Sequence, residues 1–115
     1  METKNAVLDK SFEFALIIIE FSEELESHKK FVIARQLLRS GTSIGANIRE
    51  AQSAESRADF IHKMKIAAKE STETEYWLLL CRHSKAYPYN DLLLPKLEEL
   101  QKLLSSIISS AKNNH

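Results

Sequence analysis

The last quarter of the chain carries one apolar stripe with a single period. Leu93, Leu97, Leu100, Leu104, Ile107 and Ala111 follow one another at alternating spacings of four and three. Ala34, Leu37, Gly41, Ile44, Ile48 and Ala51 do the same with the opposite phase. That spacing keeps one face of an α-helix apolar over many turns and is incompatible with the two-residue period of a strand. Few breakers interrupt it, since the 115 residues hold only two Gly and two Pro. No strand-like alternation persists over more than a few residues.

Punctuation divides the chain into four helices, expected over about 5–26, 29–52, 55–85 and 91–111, within one domain spanning 1–115. The polar run Glu26–Lys30 separates the first two, and Ser53–Ser56 supplies capping residues before the third. Ala86–Asp91, with Pro88 and then Asn90 or Asp91, is the strongest turn signal. Pro95 then falls in the first turn of the last helix, where a missing N–H costs little. Connections this short join antiparallel neighbours. The fold class is therefore all-α, an antiparallel up-down-up-down four-helix bundle.

Two of the helices are apolar on more than one side. In the first, Val7, Phe14, Ile17, Ile18, Phe21 and Leu25 form one face. Leu8, Phe12, Ala15, Leu16 and Ile19 form a second, with Asp9, Glu13, Glu20 and Glu24 between the two. In the third, the main stripe is Phe60, Met64, Ala67, Ala68, Ser71 and Leu78, while Trp77 and Leu80 point away from it. An isolated bundle needs one apolar face per helix, so the surplus marks an interface. The expectation is a homo-oligomer with the first and third helices on the subunit boundary.

Charge excludes some partners and suggests others. Sixteen bases balance sixteen acids, so net charge does not attract nucleic acid or membrane. The first helix carries one lysine against six acids, and the second five bases against one acid, which favours packing these two side by side. Arg35, Arg39 and Arg49 fall within about 80° of one another on the outer side of the second helix. Lys65 and Lys69 share the outer face of the third with His62 and Tyr76. These five cations are the candidate nucleic-acid face, and oligomerisation would repeat them. No membrane partner is expected. The single cysteine, Cys81, excludes an internal disulfide, and no signal or membrane-spanning pattern is present, so a cytoplasmic protein is expected.

Both glycines sit in "LLRSGTSIGANIREA", Leu37–Ala51. The apolar spacing runs through them without a phase break, and the G-x-x-x-x-G-K-[ST] pattern of a phosphate loop is absent. The stretch reads as a helix whose Gly41 and Gly45 admit a close neighbour, because each otherwise costs about 1 kcal/mol against Ala. Ser40, Ser43 and Asn47 flank the stripe. Ser71, Thr74 and Glu75 lie at or near the stripe of the third helix. A buried Glu75 needs partners, and Asn47, Ser40 and Ser43 are candidate donors. This network reads first as a device that fixes helix register, and second as a small-molecule site at Ser71, Glu75 and Asn47.

With these residues in view, the chain resembles the bacterial four-helix bundle proteins encoded within intervening sequences of large-subunit (23S) ribosomal RNA genes. The pattern R-S-x-x-S-I-x-x-N-I-x-E falls on Arg39, Ser40, Ser43, Ile44, Asn47, Ile48 and Glu50. A later S-x-x-E-x-x-x-x-L falls on Ser71, Thr74 and Leu79, with Thr74 where the acid is usual and acids at Glu73 and Glu75 beside it. Ala51 stands where a Gly usually follows, which would let the second helix run on. The resemblance implies a homopentamer of bundles and does not imply an enzyme. It is distantly similar to the accessory variability proteins of diversity-generating retroelements, a strongly basic branch that binds a reverse transcriptase and RNA.

No catalytic or cofactor constellation stands out. A di-iron bundle requires two E-x-x-H pairs on different helices, and Asp59-x-x-His62 is the single approximation. The four His and one Cys have no zinc spacing. Cys81, Arg82 and His83 are adjacent on a helix and do not face each other. No G-x-S-x-G occurs. No cofactor or metal is expected. The functional expectation is a non-enzymatic scaffold or binding module whose partner is itself and RNA or an RNA-associated protein. The alternative is a purely structural protein without a nucleic-acid partner, and the third is an enzyme at Ser71, Glu75 and Asn47.

Overall fold

The computed structural model describes residues 6–113. Four helices follow one another: α1 (Ala6–Ser27), α2 (Phe31–Ala51), α3 (Arg57–His83) and α4 (Leu93–Asn113). The described residues contain no strand. The expected start of the first helix at Asn5 lies outside them, as does His115. Helix α3 stops at His83 and α4 begins at Leu93, each two residues inside the expected bounds.

The punctuation residues act as their chemistry suggests. Between α1 and α2, Lys29 adopts φ 64°, the left-handed conformation that ends a helix abruptly. The Ser56 hydroxyl accepts a hydrogen bond from the Asp59 amide at 3.0 Å and caps α3. Asn90 accepts from the Leu92 amide at 2.9 Å just before α4.

The helices stand in a square whose edges are α1–α2, α2–α3, α3–α4 and α4–α1, which leaves α1 diagonal to α3. Pairs across each edge run in opposite directions. Gly45 meets Ser11 while Gly41 meets Ile18, and Glu50 reaches Lys63 while Ser40 reaches Thr74. The core is filled by Phe14, Ile18, Phe21 and Leu25 of α1, Leu37, Ile44 and Ile48 of α2, Met64 and Leu78 of α3, and Leu93, Leu97, Leu100 and Leu104 of α4. The Phe21 ring meets Tyr89 edge-on at 6.4 Å, closing the end of the bundle beneath the α3–α4 turn.

Two expectations change in detail. The expected α4 stripe includes Ile107 and Ala111, which are only half-buried. The opposed charges of α1 and α2 do not form ion pairs with each other among the described residues. The acids and bases of α1 turn to α4, through Lys10–Glu99 at 3.1 Å and Glu13–Lys96 at 3.5 Å. Those of α2 turn to α3, through Arg39–Glu70 and Glu50–Lys63. The α1–α2 seam is too close for long side chains to lie between its backbones. A Cβ on Gly41 would sit 2.9 Å from both γ carbons of Ile18, and one on Gly45 would sit 3.3 Å from the Ser11 hydroxyl.

Candidate functional site

The motif-bearing segment of α2 is a continuous helix, so the glycines form no phosphate loop. Its polar residues divide by face. Ser40 is fully buried, and its hydroxyl lies 2.9 Å from that of Thr74 on α3. Thr74 donates to the Glu70 carbonyl oxygen at 2.7 Å, which leaves the Ser40 proton for the bond between the two hydroxyls. A neutral pair of this kind crosses the core without placing a charge in it.

Arg39 reaches out of α2 and holds two acids of α3. Its guanidinium donates to Glu70 at 3.2 Å and to Glu73. Glu73 also accepts from the Trp77 indole at 2.9 Å. Arg39, and after it Trp77, hold the Glu73 carboxyl below the usual carboxylate range. The Trp77 ring is half-buried against the core rather than turned out to solvent, and Tyr76 covers it at 5.3 Å between ring centroids. The sequence pattern alone sends Trp77 outward. Its polar tip bonded to Glu73 explains why the ring folds down instead.

Three successive residues of α3 therefore go to three neighbours. Glu73 goes to Arg39 of α2, Thr74 to Ser40 in the core, and Glu75 to α4. The Gln101 amide donates to Glu75 at 3.1 Å, and its contact with the Ser71 hydroxyl is a long 3.5 Å. Asn47, Ser40 and Ser43 are not the donors to Glu75. Asn47 donates to the Ser43 carbonyl oxygen at 2.9 Å, and Ser43 donates to that of Arg39 at 2.6 Å, both within α2. Glu75 faces α4 because it is one residue past the core position that Thr74 occupies, and a helix turns by about 100° per residue. The structure thus brings Ser71 and Glu75 onto one side with Gln101 and leaves Asn47 away from them. Gln101 has no signal in the sequence beyond its place on the edge of the α4 stripe.

The candidate nucleic-acid residues Arg35, Arg39, Arg49, Lys65 and Lys69 are all exposed. Arg39 differs from the other four in being committed to Glu70 and Glu73. Glu50 of the motif is exposed and accepts from Lys63 at 3.0 Å. Cys81 is buried, and loss of water pushes its thiol up to about 11. The thiolate needed for nucleophilic chemistry is correspondingly disfavoured. Among the described residues, no group of three or more His, Cys, Asp or Glu is arranged to hold a metal ion. No helix of the described residues is long and apolar enough to cross a membrane.

Outward-facing apolar side chains are the other prominent surface. Phe12 is 58% exposed, Leu16 47% and Ile19 40% along α1, and Leu38 of α2 is 41% exposed. A hollow of about 140 Å³ lies between Leu8, Phe12 and Ala15 of α1 and Thr42 and Ala46 of α2. On α3, Tyr76 and Leu80 are exposed as well.

Fold, motif and surface together define a four-helix protein with a neutral buried register lock and a surplus of apolar surface. Residues 3–106 match the model of the 23S rRNA-intervening sequence protein family, and the chain belongs to that family. It is similar to a crystal structure of a protein of unknown function from the S23 ribosomal protein family of Bacteroides thetaiotaomicron. That similarity has a TM-score of 0.78 and 52% identity, covering 89% of this chain and 97% of the other. A search of curated proteins finds no match to the chain.

Proposed function

We propose that the chain is a non-enzymatic scaffold that assembles with copies of itself, as a homopentamer, and presents its outer helical faces to RNA or an RNA-bound protein. The observation that carries this reading is the line of exposed apolar side chains Phe12, Leu16 and Ile19, continued by Leu38 across the α1–α2 seam. A contiguous apolar surface of this kind is uncommon on a monomer. In a ring each subunit offers two different surfaces, one to each neighbour. The α1–α2 face supplies one. The outer side of α3, with Tyr76 and Leu80, supplies the other, and its diagonal position suits a ring. Light scattering of the eluting protein is expected to give a mass several times that of the chain, at five copies. Phe12→Glu with Leu16→Glu is expected to reduce it to a monomer that keeps its helical signal. A wild-type monomer at tens of micromolar would overturn the assembly.

The RNA partner is favoured by the cations that carry no structural duty. Lys65 and Lys69 stand about two turns or more before Tyr76 on α3, outside the Tyr76–Leu80 contact, and offer their charges to phosphates. Titration with a structured RNA at several salt concentrations is expected to give affinity that falls as salt rises. Changing Arg35, Arg49, Lys65 and Lys69 to Glu is expected to abolish it, while Arg39→Gln acts mainly on stability. No binding at low salt would favour the alternative, a structural protein without a nucleic-acid partner.

A further inference from the structure

On the side of the bundle opposite the apolar α1–α2 face, α3 and α4 do not close against each other along their whole length. Between them runs an open groove of about 460 Å³. Its floor and walls come from Ala68, Ser71 and Thr72 of α3 and from Gln101, Ser105, Ile108, Ser109 and Lys112 of α4. None of these lining residues is acidic.

Two lysines stand at one end, Lys112 on its wall and Lys65 just beyond it. Lys65 lies one turn before Ala68 on α3, and Lys112 lies one turn after Ile108 on α4. Neither makes an ion pair with a carboxylate among the described residues. The neighbouring Lys112 holds Lys65 below the usual lysine value, since the two like charges disfavour each other. Lysines elsewhere on the protein, such as Lys10, Lys63 and Lys96, have acids beside them. Lys65 and Lys112 have each other.

The remaining donors converge on the same end. Ser105, Ser109 and Lys112 stand at helical spacings of four and three and so share one face of α4. The hydroxyls of Ser71 and Thr72 already donate to the Ala68 carbonyl oxygen. Those of Ser105 and Ser109 make no such bond among the described residues. The other end of the groove differs in sign. Gln101 is held there by Glu75, and Glu98 stands one turn before it. An anion is therefore drawn to the lysine end and repelled from the glutamate end.

We infer that the α3–α4 groove binds a phosphate monoester, with its phosphate between Lys65 and Lys112 and its organic portion over Ala68 and Ile108. Two unit positive charges match a phosphate carrying close to two negative charges at neutral pH, whereas a phosphodiester carries one. The terminal oxygens suit the two ammonium groups and the Ser105 and Ser109 hydroxyls. The groove volume lies within the range of small-molecule sites. A free mononucleotide or sugar phosphate and the 5′-phosphate end of an RNA present the same group. The site shares Lys65 with the proposed RNA face of α3, but Lys112, Ser105 and Ser109 belong to neither proposed surface, so variants at those three positions report on the groove alone.

Calorimetric titration of the full chain with inorganic phosphate, with adenosine monophosphate, and with a short oligoribonucleotide bearing either a 5′-phosphate or a 5′-hydroxyl tests this. Saturable binding of phosphate and the mononucleotide is expected, weakened about tenfold or more by Lys112→Gln and again in Lys65→Gln with Lys112→Gln. Ser109→Ala, which alters no charge, is expected to weaken it several-fold. Both lysines are solvent-exposed, so circular dichroism and thermal unfolding of the variants should match the parent. Preference for the 5′-phosphorylated oligomer over the mononucleotide would identify an RNA end as the source, and the reverse a free metabolite. Two results would overturn the inference. One is absence of binding by phosphate and mononucleotide at millimolar concentration. The other is binding indifferent to Lys112, which would assign any contact to the phosphodiester backbone.

Discussion

The α1–α2 and α3–α4 seams both begin from apolar stripes of helical period, yet one is shut and the other is open. In the first, Gly41 and Gly45 remove side chains where Ile18 and Ser11 approach, and the two backbones come together. In the second, no glycine occurs. Gln101, Ser71 and Glu75 hold the middle of the seam with polar contacts, and beyond them the helices leave a groove. The α2–α3 seam is intermediate, with a buried hydroxyl pair inside and the Arg39 ion pairs outside. Small side chains set how near two helices come. Polar side chains between them set register and leave space that water or a ligand can use.

The sharpest way to break this contrast is to place the same side chain in both seams. Gly41→Leu is expected to destabilise the fold by about 1–3 kcal/mol or more, because its first carbon already collides with Ile18. Ala68→Leu, on the wall of the open groove, is expected to change stability by less than about 0.5 kcal/mol. Urea unfolding of both variants checks this, and equal costs would dissolve the distinction. Gly41→Ala is likewise expected to cost more than Gly45→Ala, whose nearest neighbour stands 0.4 Å further off, at 3.3 Å against 2.9 Å.

A smaller effect is expected in the intermediate seam. Thr74→Val leaves the Ser40 hydroxyl without its cross-helix partner in the core and is expected to cost about 1–2 kcal/mol. Changing Ser40→Ala as well should cost less than the sum of the two single changes. Additive costs would mean that the two hydroxyls do not interact.

The outer ion pairs should contribute least. Folding lowers the Glu73 pKa, so its contribution is complete above the ordinary glutamate value of about 4.3 and is lost as pH falls through the lower folded value. The Arg39 and Glu73 side chains are 49% and 36% exposed, and screening limits the gain to about 1 kcal/mol or less. Glu73→Gln is expected to flatten the acid limb of stability against pH and to leave the neutral range nearly unchanged. An unaltered acid limb would show that the pair is only incidental. Gln101→Ala is expected to cost under about 0.5 kcal/mol, since its amide site opens to water.

Some residues reveal their structural role without any fold. The α2 stripe from Ala34 to Ala51 is buried at each of its six predicted positions, and the tight spot at Gly41 is where an unbroken apolar period predicts it. The two faces of α1 separate as their spacing predicts, one into the core and one to the surface. Arg35, Arg49, Lys65 and Lys69 stand exposed on outer faces, as their angles require. The partners of the polar residues were not legible in this way. Glu73, Thr74 and Glu75 are consecutive polar residues, and the helical spacing from Ser71 to Leu78 admits either Thr74 or Glu75 at the core position.

By itself, then, the sequence determined the number of helices, their ends to within about two residues, their buried faces and the seam that closes on glycine. These follow from periodicity, capping and side-chain size, which act within a turn or two of helix. Only the tertiary structure decided that Glu75 meets Gln101 rather than Asn47 and that Arg39 meets Glu70 and Glu73. It also decided that Trp77 folds inward and that Lys112, on the wall of an open groove, comes near Lys65. Those pairs join residues more than twenty positions apart, apart from Trp77 and Glu73. Each depends on the rotation of one helix against the next, and a small rotation moves a long side chain to a different neighbour.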